Sequence, residues 1–244
     1  MNSNENEFEK EKEELDAFEL NDLEYKEAII YDKRSFFQMY LDTLKREHII
    51  IFTFIIYNDF NLFSVKLIKF IFLITSDMAM NVFFFSDESM HKLYLSYGKF
   101  DFIQQLSQII YSTLISQFME VILCFLGLTD KSIYSIKKLK KRVDVKEKIL
   151  IFKTFKCIKI KLVLYFIFTF LFFLFYWYTV ACFCSVYENT QSIFIKDFLY
   201  SFLINLLSPF IIYLIPISLR ICAINDKKGR LGFIYKLSDI ITCL

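Results

Sequence analysis

The sequence predicts an all-α fold: a polytopic integral membrane protein with about four transmembrane helices and an N-terminal interfacial helix. Three observations predict it. Residues 162–187 run for 26 residues without a formal charge, Gly or Pro, and a helix of that length covers about 39 Å. About 20 apolar residues suffice to cross the ~30 Å hydrocarbon core, and a helix satisfies its own backbone polar groups there. The second observation is compositional. The chain is 56% hydrophobic with a mean hydropathy of +0.42, yet holds only four Gly and two Pro, and three further apolar blocks are long enough to span. The third is charge placement: twelve Lys/Arg lie in residues 131–161, against two in 87–101 and one in 188–197. Basic residues mark the cytosolic side, so four spans put both termini and the basic segment in the cytosol.

Taken in order, residues 1–27 carry eleven acidic and three basic side chains and read as an acidic, flexible tail. They lack the basic-then-apolar pattern of a signal peptide. Residues 28–61 form the interfacial segment. Phe36, Phe37, Tyr40, Leu41 and Leu44 recur at helical spacing with Asp42, Lys45 and Arg46 between them, the pattern of a helix lying at a membrane surface. The apolar run 49–57 is too short to cross, and Asn58, Asp59 and Asn61 end it.

The four-helix membrane domain is expected over 62–221. Its first two spans, 62–86 and 102–128, contain Lys66, Lys69, Asp77 and Asn81, and then Gln104, Gln105, Gln108, Gln117 and Glu120. Such residues must face protein or water rather than lipid. A polar loop, 87–101, joins them. A basic cytosolic loop, 129–161, leads to the main span; the turn 188–197 leads to the last, 198–219. Pro209 and Pro216 both fall in that last span and predict a kinked helix. Residues 222–244 are a basic C-terminal tail.

No enzyme chemistry is expected. Four glycines leave no nucleotide-binding loop, and two His, at 48 and 91, build no triad or metal spacing. The six Cys show neither a disulfide framework nor a zinc pattern. No cofactor is expected, and no nucleic-acid partner, since a membrane-tethered basic loop is not a folded base-reading module. The expected partners are the bilayer itself and anionic lipid at 131–161, each Lys or Arg there being worth about 1 kcal/mol.

The intramembrane polar residues are the sharpest signal. Counting depth along two antiparallel helices puts Glu120 level with Lys66 and Lys69, a prospective ion pair. Asp77 falls level with Gln108, Tyr111 and Ser112. These residues form the expected polar network, either as interhelical glue or as a path for protons or ions.

Three stretches, AIIYDKRSFFQMYLDTLKREHIIIFTF (28–54), FFFSDESMHKLY (83–94) and FYWYTVACFCSVYENTQSIFIKDFLYSFLINLLSPF (175–210), resemble a large family of uncharacterised polytopic membrane proteins abundant in ciliated protists. The resemblance covers most of 28–240. It implies four spans acting as one unit and carries no activity or site residue. The expected function is a non-enzymatic membrane anchor or scaffold; the alternative is a channel or transporter subunit using the intramembrane acidic residues.

Overall fold

The computed structural model describes residues 17–55, 59–97, 99, 101–139, 145–226 and 230–243. Among them the fold is all-α, with no strand. The helices are α1 (Ala17–Asn21), α2 (Tyr25–Tyr31), α3 (Phe36–Glu47), α4 (Ile49–Phe54), α5 (Phe63–Phe84), α6 (Asp87–Leu95), α7 (Phe102–Gly127) and α8 (Asp130–Leu139). They continue with α9 (Val145–Val186), a 3-10 turn (Glu188–Thr190), α10 (Gln191–Ile212), α11 (Leu214–Ile224) and α12 (Gly232–Cys243). Three helical stretches, 105–134, 148–186 and 188–224, are long and apolar enough to cross a membrane; a fourth crossing is counted if α5 and α6, bent by 79°, are one span. Two compact units divide the chain: Met1–Phe52 with Pro209–Leu244, and Thr53–Ser208.

In the first unit the sequence writes its helix starts openly. Ser35 and Gln38 close a reciprocal capping box at α3: the Gln38 amide N–H reaches Ser35 Oγ at 3.4 Å and the Ser35 N–H reaches Gln38 Oε1 at 2.8 Å. A charge cluster holds the unit together. Asp32, its side chain fully buried, accepts from Arg34 Nε and Nη2, both at 2.8 Å. Arg34 also donates to Asp42 and to Asn21 Oδ1. Burial of the Arg34 guanidinium works against its charge, but hydrogen bonds and charges from Asp32 and Asp42 outweigh that and hold it above its ordinary pKa. Arg220 donates to the carbonyls of Leu20 and Asn21, to Asp239, and to Tyr235 Oη at 2.7 Å. Burial pushes the Tyr235 phenol up to about 12.

The Thr53–Ser208 unit is built on α5, α7 and α9, which pack against one another. Its apolar core joins Val65, Phe72 and Ala79 of α5 to Leu123 of α7 and to Tyr165, Tyr176, Val180 and Phe183 of α9. Gly127 lets α7 and α9 approach closely: a Cβ there would lie 2.7 Å from the Tyr165 ring. One end is tied by the turn before α5 and the turn after α7. Asp130 accepts from the Phe60 N–H and from Asn61, while the Thr129 N–H reaches Asn61 Oδ1 at 2.9 Å.

Several expectations change. The acidic tail is helical from Ala17, and residues 17–31 are fastened by Arg34 and Arg220; residues 1–16 lie outside the described residues. The interfacial helix is three pieces, α2, α3 and α4, because the chain is extended at 32–35 and again at His48. The polar loop 87–101 contains α6, capped by Ser86. The basic loop 129–161 is no loop over its described residues: α8 occupies 130–139, and α9 begins at Val145 and runs unbroken into the main span. Lys and Glu are good helix formers, so the basic run extends the helix instead of ending it. The stretch 188–224 is interrupted at Tyr213, whose backbone stays in the right-handed helical region. Pro209 sits within α10, and Pro216, the third residue of α11, has no N–H to bond the carbonyl of residue 212. The C-terminal tail contains α12.

Candidate functional site, a buried polar seam

Three helices of the Thr53–Ser208 unit invert the pattern of a water-soluble helix. On α7, Gln105, Gln108, Ser112, Thr113 and Ser116 are buried, whereas Ile103, Ile110, Leu114, Phe118, Ile122 and Phe125 are exposed. On α10 the buried stripe is Asp197, Ser201 and Asn205, at helical spacing of four; Ile195, Leu199, Leu203 and Leu207 are exposed. On α5 it is Lys66, Ser76, Asp77 and Asn81, with Lys69 almost buried. An apolar outer surface around a polar core suits a lipid surround, where helices gain nothing by hiding leucine from each other.

The stripes meet level by level. At one end Gln108 Nε2 donates to the Asn81 carbonyl at 3.3 Å and to Asp197 Oδ2 at 3.4 Å. One turn along, Ser201 Oγ donates to Asp77 Oδ1 at 2.6 Å, a length typical of a hydroxyl on a carboxylate. Ser201 Oγ is itself 2.9 Å from Thr113 Oγ1 and 3.4 Å from Ser112 Oγ. Ser112 Oγ lies 3.2 Å from Asn81 Oδ1, and Ser116 Oγ 3.4 Å from Asp77 Oδ1. The next level is Gln117 Nε2 on Asn205 Oδ1 at 2.9 Å. Beyond it Lys69 Nζ sits 3.1 Å from Glu120 Oε1, and Lys66 pairs with Asp59. Rising numbers on α7 match falling numbers on α5 and rising numbers on α10, so α7 is antiparallel to α5 and parallel to α10. From Asn81 to Lys66 the seam follows 15 residues of α5, roughly 22 Å.

Asp77 and Asp197 have no exposed surface, and among the described residues neither enters an ion pair. Removing a charge from water without a partner costs several kcal/mol. Their hydrogen bonds do not make up for this: Asp77 Oδ2, Asp197 Oδ1 and Gln108 Oε1 are buried acceptors with no hydrogen-bond donor. An unmet donor, Asn205 Nδ2, is buried in the same seam. A cleft of about 10 Å³, room for about one water, lies beside Lys69 and Glu120, lined by Val65, Phe72, Leu123, Gly127 and Tyr165.

Of the residues singled out from sequence, Lys69 and Glu120 are brought together; Lys66 turns to Asp59 instead of Glu120. Asp77 and Gln108 belong to the seam, but each contacts α10 rather than the other. Tyr111 does not belong: it is 55% exposed, with its ring 5.8 Å from Phe84. Asn81, named among the polar residues of 62–86, joins the seam; Asp197, Ser201 and Asn205 are seam residues that depth counting along 62–128 does not reach. Their signal is the four-residue spacing 197, 201, 205 inside an apolar run, hidden by starting the last span one residue late at 198.

Fold and seam together define a multi-pass α-helical membrane protein with a polar bundle core. No protein-family model, curated protein or solved structure matches the chain. Among the described residues no group of three or more His, Cys, Asp or Glu could hold a metal ion.

Proposed function

We propose that this chain is a non-enzymatic membrane protein that handles a small cation, as a channel or transporter subunit, along the seam formed by α5, α7 and α10. The observation that carries this is the pair of fully buried carboxylates, Asp77 and Asp197, which enter no ion pair among the described residues. Polar glue between helices does not require a carboxylate; one buried inside a membrane bundle calls for positive charge. The basic segment faces the cytosol in this reading, and Lys148, Lys153, Lys156 and Lys159, exposed along α9, lie near anionic headgroups.

Purified protein in liposomes, with an imposed proton, sodium or potassium gradient, tests it. Flux above that of empty liposomes is expected, and Asp77→Asn or Asp197→Asn should reduce it at least tenfold. Wild-type flux equal to the empty control for all three ions removes the proposal. The remaining reading, a membrane anchor or scaffold, is favoured by the closed packing of the seam, in which Asp77, Asn81, Ser112, Ser116, Asp197 and Ser201 have no exposed surface. It predicts no flux and the same folded yield for both Asn variants.

A further inference from the structure

The end of the seam at Gln108 has a feature that neither packing nor glue requires. Gln108 is 94% buried, being 6% exposed, and its amide is split: Nε2 touches Asp197 Oδ2, while Oε1 meets no donor. Asp197 mirrors it, with Oδ2 on the amide and Oδ1 on nothing. The amide nitrogen thus serves the carboxylate and the Asn81 carbonyl, at 3.3 Å, while two acceptor oxygens stand idle beside it. An ionised carboxylate only accepts; a protonated one adds an O–H donor and then needs an acceptor. Gln108 supplies one if its amide turns by 180°, which exchanges its oxygen and nitrogen at almost no change of shape.

Resting on the cation-handling reading, we propose that the seam's ligand is the proton and that Asp197 and Gln108 are its binding step. Asp197 takes up one proton on its carboxyl group, and the Gln108 amide reverses so that Oε1 accepts the new O–H. One proton is gained and one negative charge is lost; the Nε2 hydrogen bonds to Asp197 Oδ2 and the Asn81 carbonyl are given up, and the carboxyl O–H to Oε1 is formed. Release reverses each step. One turn along α10 from Asp197, the hydroxyls of Ser112, Thr113 and Ser201 form a cluster that reaches Asp77 Oδ1 through contacts of 2.6–3.4 Å. A hard metal ion takes six or more oxygen ligands, and around Asp197 the structure offers one amide contact. Charged neighbours are few. Asp77 on α5 lies one turn away; α7 faces Asp197 with the neutral Gln108, and α9 meets this level through Phe183 on Phe194. Lys196 precedes Asp197 but is exposed.

Infrared difference spectroscopy of the full chain in nanodiscs, titrated with pH, reads this directly. A protonated-carboxyl C=O band should appear as pH falls, vanish in Asp197→Asn and survive in Asp77→Asn. The side-chain amide band of glutamine should titrate with the same midpoint in wild type and stay fixed in Asp197→Asn. In Gln108→Leu the carboxyl band should persist at higher frequency, because its O–H has lost an acceptor; a merely structural Gln108 would leave the frequency unchanged. A band lost in Asp77→Asn instead, or no carboxyl band at any pH at which the protein stays folded, overturns the proposal. The infrared and flux results are separable. A titrating Asp197 without flux ends the transport reading and keeps the proton site, and sodium-dependent flux without a carboxyl band does the reverse.

Discussion

The two units bury charge in opposite ways. Around Asp32 every buried carboxylate oxygen meets a guanidinium: Arg34 grips both oxygens at 2.8 Å, and Arg220 adds a third approach at 3.8 Å. Around Asp77 and Asp197 there are hydroxyls and amides and, among the described residues, no cationic partner. Matched charge is a fastening, since removing one member strands the other. Unmatched charge leaves a site responsive to whatever positive charge arrives. Burial alone does not tell a clasp from a binding site; the identity of the neighbours does.

The largest effect should come from the fastened side. Asp32→Asn takes the shared carboxylate from Arg34 and Arg220, leaving them Asp42 and Asp239, and should cost about 1.5–3 kcal/mol, read as a lower unfolding midpoint of the purified chain. A loss below about 1 kcal/mol would mean that the cluster is not a clasp. Gly127→Ala comes next, because its Cβ would press on the Tyr165 ring; overpacking of this kind costs about 1–3 kcal/mol. A still smaller term separates the two lysines. Glu120→Leu should lower folded yield in detergent and Lys69→Leu should restore part of it, with coupling of about 0.6 kcal/mol. Lys66→Leu should restore none, since Lys66 pairs with Asp59; rescue by Lys66 would reassign the pair. The smallest loss belongs to the seam. Asp77→Asn keeps an acceptor for Ser201, strands no cation and removes an unpaired buried charge, so no stability should be lost. A loss matching that of Asp32→Asn would erase the contrast between the units.

Much of this could be read from the chain because bilayers impose simple rules. The uncharged run 162–187 and the Lys/Arg asymmetry declare spans whatever the tertiary detail. The Lys69–Glu120 contact was legible because two consecutive antiparallel helices fix depth by counting. Counting fails where side-chain reach decides: Lys66 and Lys69 are three residues apart, on nearly one face, and only the turn carrying Asp59 determines which of them Glu120 receives. It fails again for Asp197, a charge at a span's edge that reads as part of a turn until Ser201 and Asn205 are seen to repeat its spacing. The clasp at Arg34 and Arg220 was invisible for another reason. Its partners lie about 200 residues apart, with Arg220 bonded to the Leu20 and Asn21 carbonyls 200 and 199 positions away, and no local periodicity encodes such a meeting.

The 42 residues of α9 make a rod about 63 Å long, against a bilayer of ~40–45 Å including headgroups. No Pro or Gly interrupts it, so it lacks the usual points of bending. Embedded by its uncharged half, it works as a ruler: its lysine-bearing end stands a set height above the lipid, some 18 Å or more at small tilt. Anything resting on that end is held at a fixed distance from the membrane plane, and any rocking of the embedded half swings the far end through a wider arc.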